Sequence, residues 1–219
     1  MAYELQVCPD AASWNAFVRT SPQQNVFSTT PFLDALGPNY RLLWVTDAGR
    51  PLLGTIQLLD DAGQPLPAPY AFSLYQGLLF DASLGAHSVH RRVQEELQLC
   101  TFLVDALSAR DRLISLCIHP DVMDMRPLSW FHYHEPQLGR FEIGIAYTGL
   151  IDLRAPADFD AYLASIRYAR RRDFRKAPEA GFTVSAERDV DAMATLYALT
   201  FARQGITIDL SLIHISEPT

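Results

Sequence analysis

The amino-acid sequence predicts an α/β protein in which a mixed sheet is flanked by helices. Through the first 150 residues, short apolar or alternating segments typical of strands alternate with segments of helical periodicity. The connections between these segments are mostly short, as a compact domain requires. The 219 residues, of which 49% are hydrophobic and 20% charged, have the composition of a globular chain that can bury a large core.

The first domain is predicted to contain a strand, two helices, a hairpin, a strand, a long helix and a further strand, in that order. The predicted strands cover residues 3–7, 41–46, 52–59, 71–80 and 113–118, with one or two more inside 141–153. Helical periodicity covers residues 12–19, a stretch between a cap at Ser28 or Thr29 and a stop at Gly37, and residues 87–109.

A second region begins near Pro156. Residues 158–177 and 190–204 have helical patterns, and residues 181–185 between them predict a strand. This order of strand and helices resembles the start of the first domain. We therefore expect one domain over residues 1–150 and the N-terminal part of a second domain over residues 151–209.

The second region also contains a local reversal of charge. The chain carries a formal net charge of −7, yet residues 167–176 hold six basic residues and one acid, Asp173. Such a reversal favours an anionic partner. Guanidinium groups suit phosphate because their fork donates two parallel hydrogen bonds and stays charged at physiological pH. The residues predicted to bind a substrate phosphate are Arg167, Arg170, Arg171, Arg175 and Lys176.

On a single helix over residues 158–177, Arg167, Arg171 and Arg175 would form one outward row, because they recur at every fourth position. The alternative is a solvated basic face that is balanced by the many acids of the protein. Binding of DNA is not expected, because the sequence pI is about 5.3 and no DNA-binding motif occurs. Transfer RNA remains a possible partner.

Other candidate sites are weaker. Three widely spaced cysteines, Cys8, Cys100 and Cys117, favour reduced thiols over disulfides. His132 and His134 could converge on one face of a strand, but we expect a half-buried strand with polar tips and no metal. No long apolar run and no signal peptide occur, which predicts a cytoplasmic protein without a transmembrane segment.

A general base is expected for chemistry in which an attacking ammonium must lose its proton. Glu142, Tyr147 and Asp152 are candidates by their location near the boundary between the two predicted domains. The sequence assigns none of them as the catalytic residue.

Several segments of the second region resemble a known family. Asp158-Phe-Asp-Ala-Tyr-Leu163, the basic residues 167–176, Gly181-Phe-Thr-Val184 and Leu196-Tyr-Ala-Leu-Thr-Phe-Ala-Arg-Gln-Gly205 resemble the start of the second acyltransferase unit of FemAB-like proteins in the GNAT superfamily. The resemblance covers nearly all of the chain up to residue 209. It implies two tandem GNAT-like units, the first complete and the second truncated.

The resemblance implies transfer of an acyl or aminoacyl group to an amine or hydroxyl of a cell-envelope or polysaccharide precursor, such as peptidoglycan. The donor would be acyl-CoA or aminoacyl-tRNA, which is a substrate rather than a permanently bound cofactor. By position, Arg170 or Arg171 matches the basic residue that contacts the phosphates of a nucleotide-linked acceptor in such relatives. A lipid-linked or other small-molecule acceptor is also compatible. The Gly-rich loop for the donor pyrophosphate is expected beyond Asp209.

Residues 210–219, Leu-Ser-Leu-Ile-His-Ile-Ser-Glu-Pro-Thr, resemble the translation of an adapter used in transposon-based sequencing libraries. We expect these ten residues to be non-native and the given chain to be inactive as an acyltransferase. The contrasting hypothesis is a non-catalytic scaffold that binds an anion or nucleic acid through the basic helix at residues 167–176.

Overall fold

The computed structural model describes residues 2–67, 73–186 and 188–206, and within them the chain is a mixed α/β protein with a four-stranded sheet and seven α-helices. The chain divides between Ile143 and Gly144 into two compact units, a few residues before the predicted boundary at 150. We call the described residues up to Ile143 the first unit and the described residues from Gly144 to Ile206 the second unit. A GNAT-like identity of either unit stays a prediction.

The sheet lies in the first unit and has the order β1-β2-β3-β4. All neighbouring strands of this sheet pair antiparallel, so the prediction of a mixed sheet is wrong for these four strands. One isolated parallel bridge joins Gly77 and Ile118. The strands are β1 (Tyr3–Val7), β2 (Asn39–Asp47), β3 (Arg50–Leu59) and β4 (Gly77–Phe80).

The predicted hairpin is confirmed as β2 and β3. Ala48 and Gly49 form its two-residue turn, and both have positive φ, 49° and 79°. Two consecutive residues in the left-handed backbone conformation give the turn a twist that matches the right-handed twist of the two antiparallel strands. The short Asp47-to-Arg50 connection therefore fixes the register of the two longest strands.

The helices in the described residues are α1 (Ala11–Thr20), α2 (Thr30–Leu36), α3 (Val89–Arg110), α4 (Arg126–Ser129), α5 (Phe159–Ser165), α6 (Tyr168–Lys176) and α7 (Val190–Ala202). Several of these helices begin at an N-cap residue whose side chain accepts a hydrogen bond from a backbone N–H group of the first turn. Asp10 caps α1, Ser88 caps α3, Asp158 caps α5 and Asp189 caps α7. The predicted helices at 12–19, 29–36, 87–109 and 190–204 are confirmed with small shifts of their ends. Among the described residues, no helix is both long and apolar enough to span a bilayer.

Two buried clusters hold the first unit together, one on each face of the sheet. Alternate side chains of β2 point to opposite faces. Trp44 packs with Trp14 and Phe17 of α1, as predicted for the inward face of that helix. On the other face, β2 and β3 pack against α3, with the cluster Leu43, Val45, Leu53, Phe80, Leu99, Leu103 and Leu107. The sheet is therefore covered by helices on both faces.

Several predicted strands are wrong. The strand expected at 71–80 begins at Gly77 in the described chain, and its first two positions lie outside the described residues. Residues 113–118 are irregular backbone near the start of β4. A parallel bridge pairs Ile118 with Gly77, and the Gln76 N–H donates to the Cys117 carbonyl at 2.9 Å. An apolar pattern alone does not supply the partner that a strand requires.

Residues 130–134 form turns after α4 rather than a strand, and His132 has a positive φ of 49°. The predicted alternation of His132 and His134 on one strand face is therefore absent. Residues 141–153 are also irregular rather than extended in a sheet, and their large apolar side chains are exposed, with Tyr147 at 96%.

The long helix predicted at 158–177 is broken. Ile166 and Arg167 have extended ψ values of 162° and 139°, which separate α5 from α6. The Ser165 hydroxyl donates to the Tyr162 carbonyl at 2.7 Å, a local bond that competes with continuation of a helix. The strand predicted at 181–185 is not formed, and Val184 is fully exposed. Residues 210–219, for which an adapter origin is expected, and Asp209 lie outside the described residues.

Candidate phosphate-binding site

The basic residues of the second unit lie on α6 and at its start. A groove of about 420 Å³ runs along this helix and its C-terminal extension. Its lining residues are Tyr168, Arg171, Arg172, Arg175, Lys176 and Glu179. Four cations against one carboxylate give the groove a net positive lining.

The break between α5 and α6 changes which predicted residues come together. Arg171, Arg175 and Lys176 line the groove, as one common site requires. Arg167 is the N-cap residue of α6, so the predicted row with Arg171 and Arg175 loses its first member. Arg170 lies on α6 but does not line the groove. The prediction that all five residues bind phosphate is not tested by this geometry.

Arg172, Tyr168 and Glu179 line the groove although the sequence did not assign them to the site. Arg172 belongs to the same basic run and lies three residues before Arg175 on α6, so the two side chains are neighbours on the helix surface. Glu179 follows the helix in sequence, so no periodicity connected it with the basic residues. A turn after Lys176, in which the Ala180 N–H donates to the Lys176 carbonyl at 3.0 Å, carries Glu179 back toward the helix end.

Arg171 is the best-anchored cation of the groove. Its Nη1 donates to the Ala164 carbonyl at 3.0 Å, in the last turn of α5. That carbonyl is one of the acceptors that a helix leaves without a partner at its C-terminus. The bond joins α5 to α6 across the break and limits the freedom of the Arg171 side chain, which favours a fixed position for its remaining N–H groups.

The other cations are more exposed. Arg170 and Arg172 approach Asp173 at 3.7 and 3.6 Å, in exposed pairs that hold each side chain only weakly. No ion pair of Arg175 or Lys176 is recorded among the described residues. Both lie in the last turn of α6, where cations complement the helix dipole. An anion in this groove would therefore be held by side chains and not by backbone N–H groups.

The candidate general bases do not line this groove. Glu142, Tyr147 and Asp152 are not among its lining residues. The Asp152 carboxylate accepts from the Nε and the backbone N–H of Arg154, at 3.1 and 3.0 Å, and these bonds lower the pKa of Asp152. A carboxylate with a lowered pKa is a weaker base at neutral pH.

The thiols and imidazoles do not form a second chemical centre in the described chain. Burial raises the pKa of Cys100 to about 12 and also raises the pKa of Cys117, as its apolar surroundings predicted. Such thiols are poor nucleophiles. Among residues 2–67, 73–186 and 188–206, no group of three or more His, Cys, Asp or Glu side chains has the arrangement of a metal site.

The chain matches no family model, no curated protein and no solved structure. The resemblance to FemAB-like acyltransferases therefore remains an expectation from the sequence motifs, and the basic groove is the observation on which a functional proposal can be built.

Proposed function

We propose that the groove along α6 binds a phosphate group of a substrate, within an acyltransferase of the FemAB-like type. The donor is acyl-CoA or aminoacyl-tRNA, and the acceptor is an amine or hydroxyl of a cell-envelope or polysaccharide precursor. The observation that carries the phosphate assignment is the convergence of Arg171, Arg172, Arg175 and Lys176 on one groove. The acyl-transfer assignment comes from the sequence resemblance.

Two properties of the groove support phosphate binding: it is lined by four cationic side chains, and two of these have no recorded ion pair among the described residues. Charge-assisted hydrogen bonds from guanidinium and ammonium groups to phosphate are shorter and stronger than hydrogen bonds between neutral groups. Arg175 and Lys176 have no recorded ion pair in the described chain, so a phosphate does not have to displace one. Arg171 is held in place by Ala164, which reduces the entropy lost on binding.

In such a transfer the acceptor nitrogen or oxygen attacks the donor carbonyl, the carbonyl carbon becomes tetrahedral, and the thiol or the 3′ hydroxyl of the donor leaves with a proton. Holding the two reactants together lowers the barrier without a covalent enzyme intermediate. The groove contributes to this by fixing a phosphate of one substrate at a distance from the reacting carbonyl.

The binding part of the proposal is tested by calorimetric titration of the full chain with coenzyme A, a UDP-linked sugar and tRNA. We expect Arg175→Gln with Lys176→Gln to weaken binding of the preferred ligand by roughly tenfold or more. Arg91→Gln with Arg92→Gln on α3 is the matched control, and it should leave binding unchanged. Equal affinity of both double variants and the unaltered chain would remove the groove from the proposal.

The salt dependence of binding separates the two donor classes. Affinity for tRNA falls steeply with salt because several phosphates release counterions, whereas coenzyme A has few phosphates and a shallow slope. A steep slope that the groove variant makes shallower supports aminoacyl-tRNA. A shallow slope with preference for coenzyme A supports acyl-CoA.

A second candidate is a non-catalytic protein that binds an anion or nucleic acid through this helix. It is favoured by one observation: the candidate bases Glu142, Tyr147 and Asp152 do not line the groove. The given chain is expected to be inactive, so the assay uses a protein in which the natural continuation replaces residues 210–219. Release of free thiol from acetyl-CoA by that protein in the presence of an amine acceptor discriminates the two. Thiol release that the groove variant reduces supports the enzyme, and groove-dependent binding without thiol release supports the scaffold.

A further inference from the structure

A separate cleft of about 250 Å³ lies in the first unit, beside the outer face of α3. Leu97, Thr101 and Asp105 line one wall, because residues four apart lie above one another on a helix. The Thr101 hydroxyl donates to the Leu97 carbonyl at 2.8 Å and presents its methyl group and oxygen at fixed positions. Asp105 is exposed, and its carboxylate has no recorded hydrogen bond or ion pair in the described chain.

The opposite wall is formed by α4 and the turn that follows it. Arg126 donates to Asp124 through Nε at 2.9 Å and also through Nη2. This pairing leaves Nη1 for another acceptor. The Arg126 guanidinium lies 5.7 Å from the centre of the Trp130 ring, so Asp124 and Trp130 together fix its direction. Trp130 is 61% exposed and offers a large apolar surface to the cleft.

His132 lines the same cleft in a constrained state. Its Nδ1 lies 2.9 Å from the Gly139 carbonyl, which can only accept, so Nδ1 carries the hydrogen. In the neutral ring, Nε2 then has a free lone pair. The ring stacks on Phe131 with centres 3.8 Å apart. The positive φ of His132 is unfavourable for a side chain of this size, and such strain often accompanies a binding role.

We propose that this cleft binds a free α-amino acid with an apolar side chain. The ligand carboxylate accepts from Nη1 of Arg126. The ammonium group donates to the Asp105 carboxylate and to Nε2 of His132. The apolar side chain packs against Trp130 and Leu97.

The match is one of charge and size. The cleft offers one cation, one carboxylate without a recorded partner in the described chain, and apolar walls, which is the pattern complementary to a zwitterion. Its volume of about 250 Å³ lies below the usual range of roughly 300–1,000 Å³ for pockets that hold drug-sized ligands. A single amino acid fits this volume, whereas a nucleotide does not. The site lies in the first unit and does not depend on the phosphate proposal.

Trp130 provides a direct readout. The indole N–H groups of Trp14 and Trp44 belong to buried side chains and serve as internal references, whereas Trp130 is exposed. Titration of the ¹⁵N-labelled chain with L-phenylalanine should move the Trp130 indole signal in a saturable way, with a dissociation constant on the order of a millimolar.

Two analogues of L-phenylalanine, each lacking one of its charged groups, test whether the cleft recognises both the carboxylate and the ammonium group. Phenethylamine lacks the carboxylate and 3-phenylpropanoate lacks the ammonium, and both should bind at least about tenfold more weakly. Equal binding of all three probes would overturn the proposal, since only the ring would then be recognised. The absence of any saturable change at Trp130 up to about 50 mM L-phenylalanine would also overturn it.

Two variants identify the groups. Asp105→Asn should weaken L-phenylalanine binding by roughly tenfold, whereas Asp61→Asn, in an exposed turn of the same unit, should not change it. His132→Asn keeps a donor for the Gly139 carbonyl and a residue that tolerates positive φ, but removes Nε2, and should weaken binding by roughly threefold or more. Unchanged Trp14 and Trp44 signals verify folding of each variant. Unaltered affinity of both variants contradicts the assignment.

Discussion

The two units differ in what holds them together. In the first unit, large apolar side chains are buried on both faces of the sheet, in the two clusters around Trp14 and Leu103. In the second unit, none of the described residues is buried, and Leu196 and Leu199 of α7 are exposed. Long-range packing therefore defines the first unit, whereas capping and short-range hydrogen bonds define the second.

This difference matters for function. Helices as short as α5 and α6 are only marginally stable without packing. The same exposure that leaves them weakly held leaves the cations of α6 open to a ligand. We infer that binding of an anion should stabilise the second unit in particular, because ligands stabilise the state that binds them.

The largest expected contrast comes from a matched pair of leucines on helices. Leu103 of α3 is fully buried, whereas Leu196 of α7 is 65% exposed. Leu103→Ala should lower the free energy of unfolding by about 2–5 kcal/mol, because it removes buried surface and leaves a cavity.

Leu196→Ala should change the free energy of unfolding by no more than about 0.5 kcal/mol. Urea denaturation followed by far-ultraviolet circular dichroism, which reports the helices of both units, measures both variants. Similar losses in the two variants would mean that the second unit has a core comparable to that of the first.

A matched pair of glycines gives the next contrast. A Cβ added at Gly77 would lie 2.3 Å from Oγ1 of the buried Thr55, whereas a Cβ at Gly144 meets open space. Gly77→Ala should destabilise the chain by about 1–3 kcal/mol, because strand β4 or Thr55 must shift. Gly144→Ala should be close to neutral. Thermal denaturation of both variants checks this, and a neutral Gly77→Ala would show that the β3–β4 packing is looser than described.

Two carboxylates, Asp111 in the first unit and Asp152 in the second, should differ in how much they make the stability of the chain depend on pH. Asp111 follows α3 and is largely buried. Burial raises its pKa, but the hydrogen bonds from Arg110 and Gln57 and the charges of Arg110 and Arg41 outweigh it, so the pKa of Asp111 lies below its ordinary value of 3.8. Because the folded pKa is lowered, the stabilisation is present above about pH 4 and is lost as the pH falls through the folded pKa.

Asp111→Asn should therefore remove part of the acid dependence of unfolding, and should cost about 1–3 kcal/mol at neutral pH. Asp152→Asn in the second unit should leave the acid dependence unchanged, because the Asp152 carboxylate is exposed to solvent although Arg154 lowers its pKa. Urea titrations between about pH 2 and 7 measure both. If the free energy of unfolding falls equally steeply with pH in Asp111→Asn and in the unaltered chain, Asp111 is excluded as a source of the acid dependence.

The sequence predicted the elements whose signals are local. The start of α2 near Thr29 with Pro31 in its first turn, the hairpin around residues 47–51, and the periodicity of α3 each depend on neighbouring residues, and each was confirmed. Thr29 occupies the N-cap position of α2, but its side chain makes no capping hydrogen bond. Residues 113–118 and 141–153 were predicted as strands from apolar patterns, but strand formation depends on a partner elsewhere in the chain.

The candidate site was predictable in part for the same reason. The cluster of charge at residues 167–176 is visible in composition, and three of the residues that it indicated, Arg171, Arg175 and Lys176, line one groove. Phosphate binding by them stays a prediction. The helix break at Ile166 is not visible in periodicity, because apolar residues recur at helical spacing across it, at Tyr162, Leu163, Ile166 and Ala169. That break removes Arg167 from the row. The cleft around His132 was missed because it combines α3 with a turn that was predicted as a strand.

We infer that phosphate binds in the groove of the second unit. Titration of the ¹⁵N-labelled chain with inorganic pyrophosphate, with sodium chloride of equal ionic strength as the control, locates the binding site. We expect saturable shifts of the arginine Nε–H signals and of the amides of α6, weakened roughly tenfold in Arg175→Gln with Lys176→Gln, while the Trp14 and Trp44 signals stay fixed. Saturable shifts confined to the first unit, or no saturable shift up to about 10 mM, would contradict it.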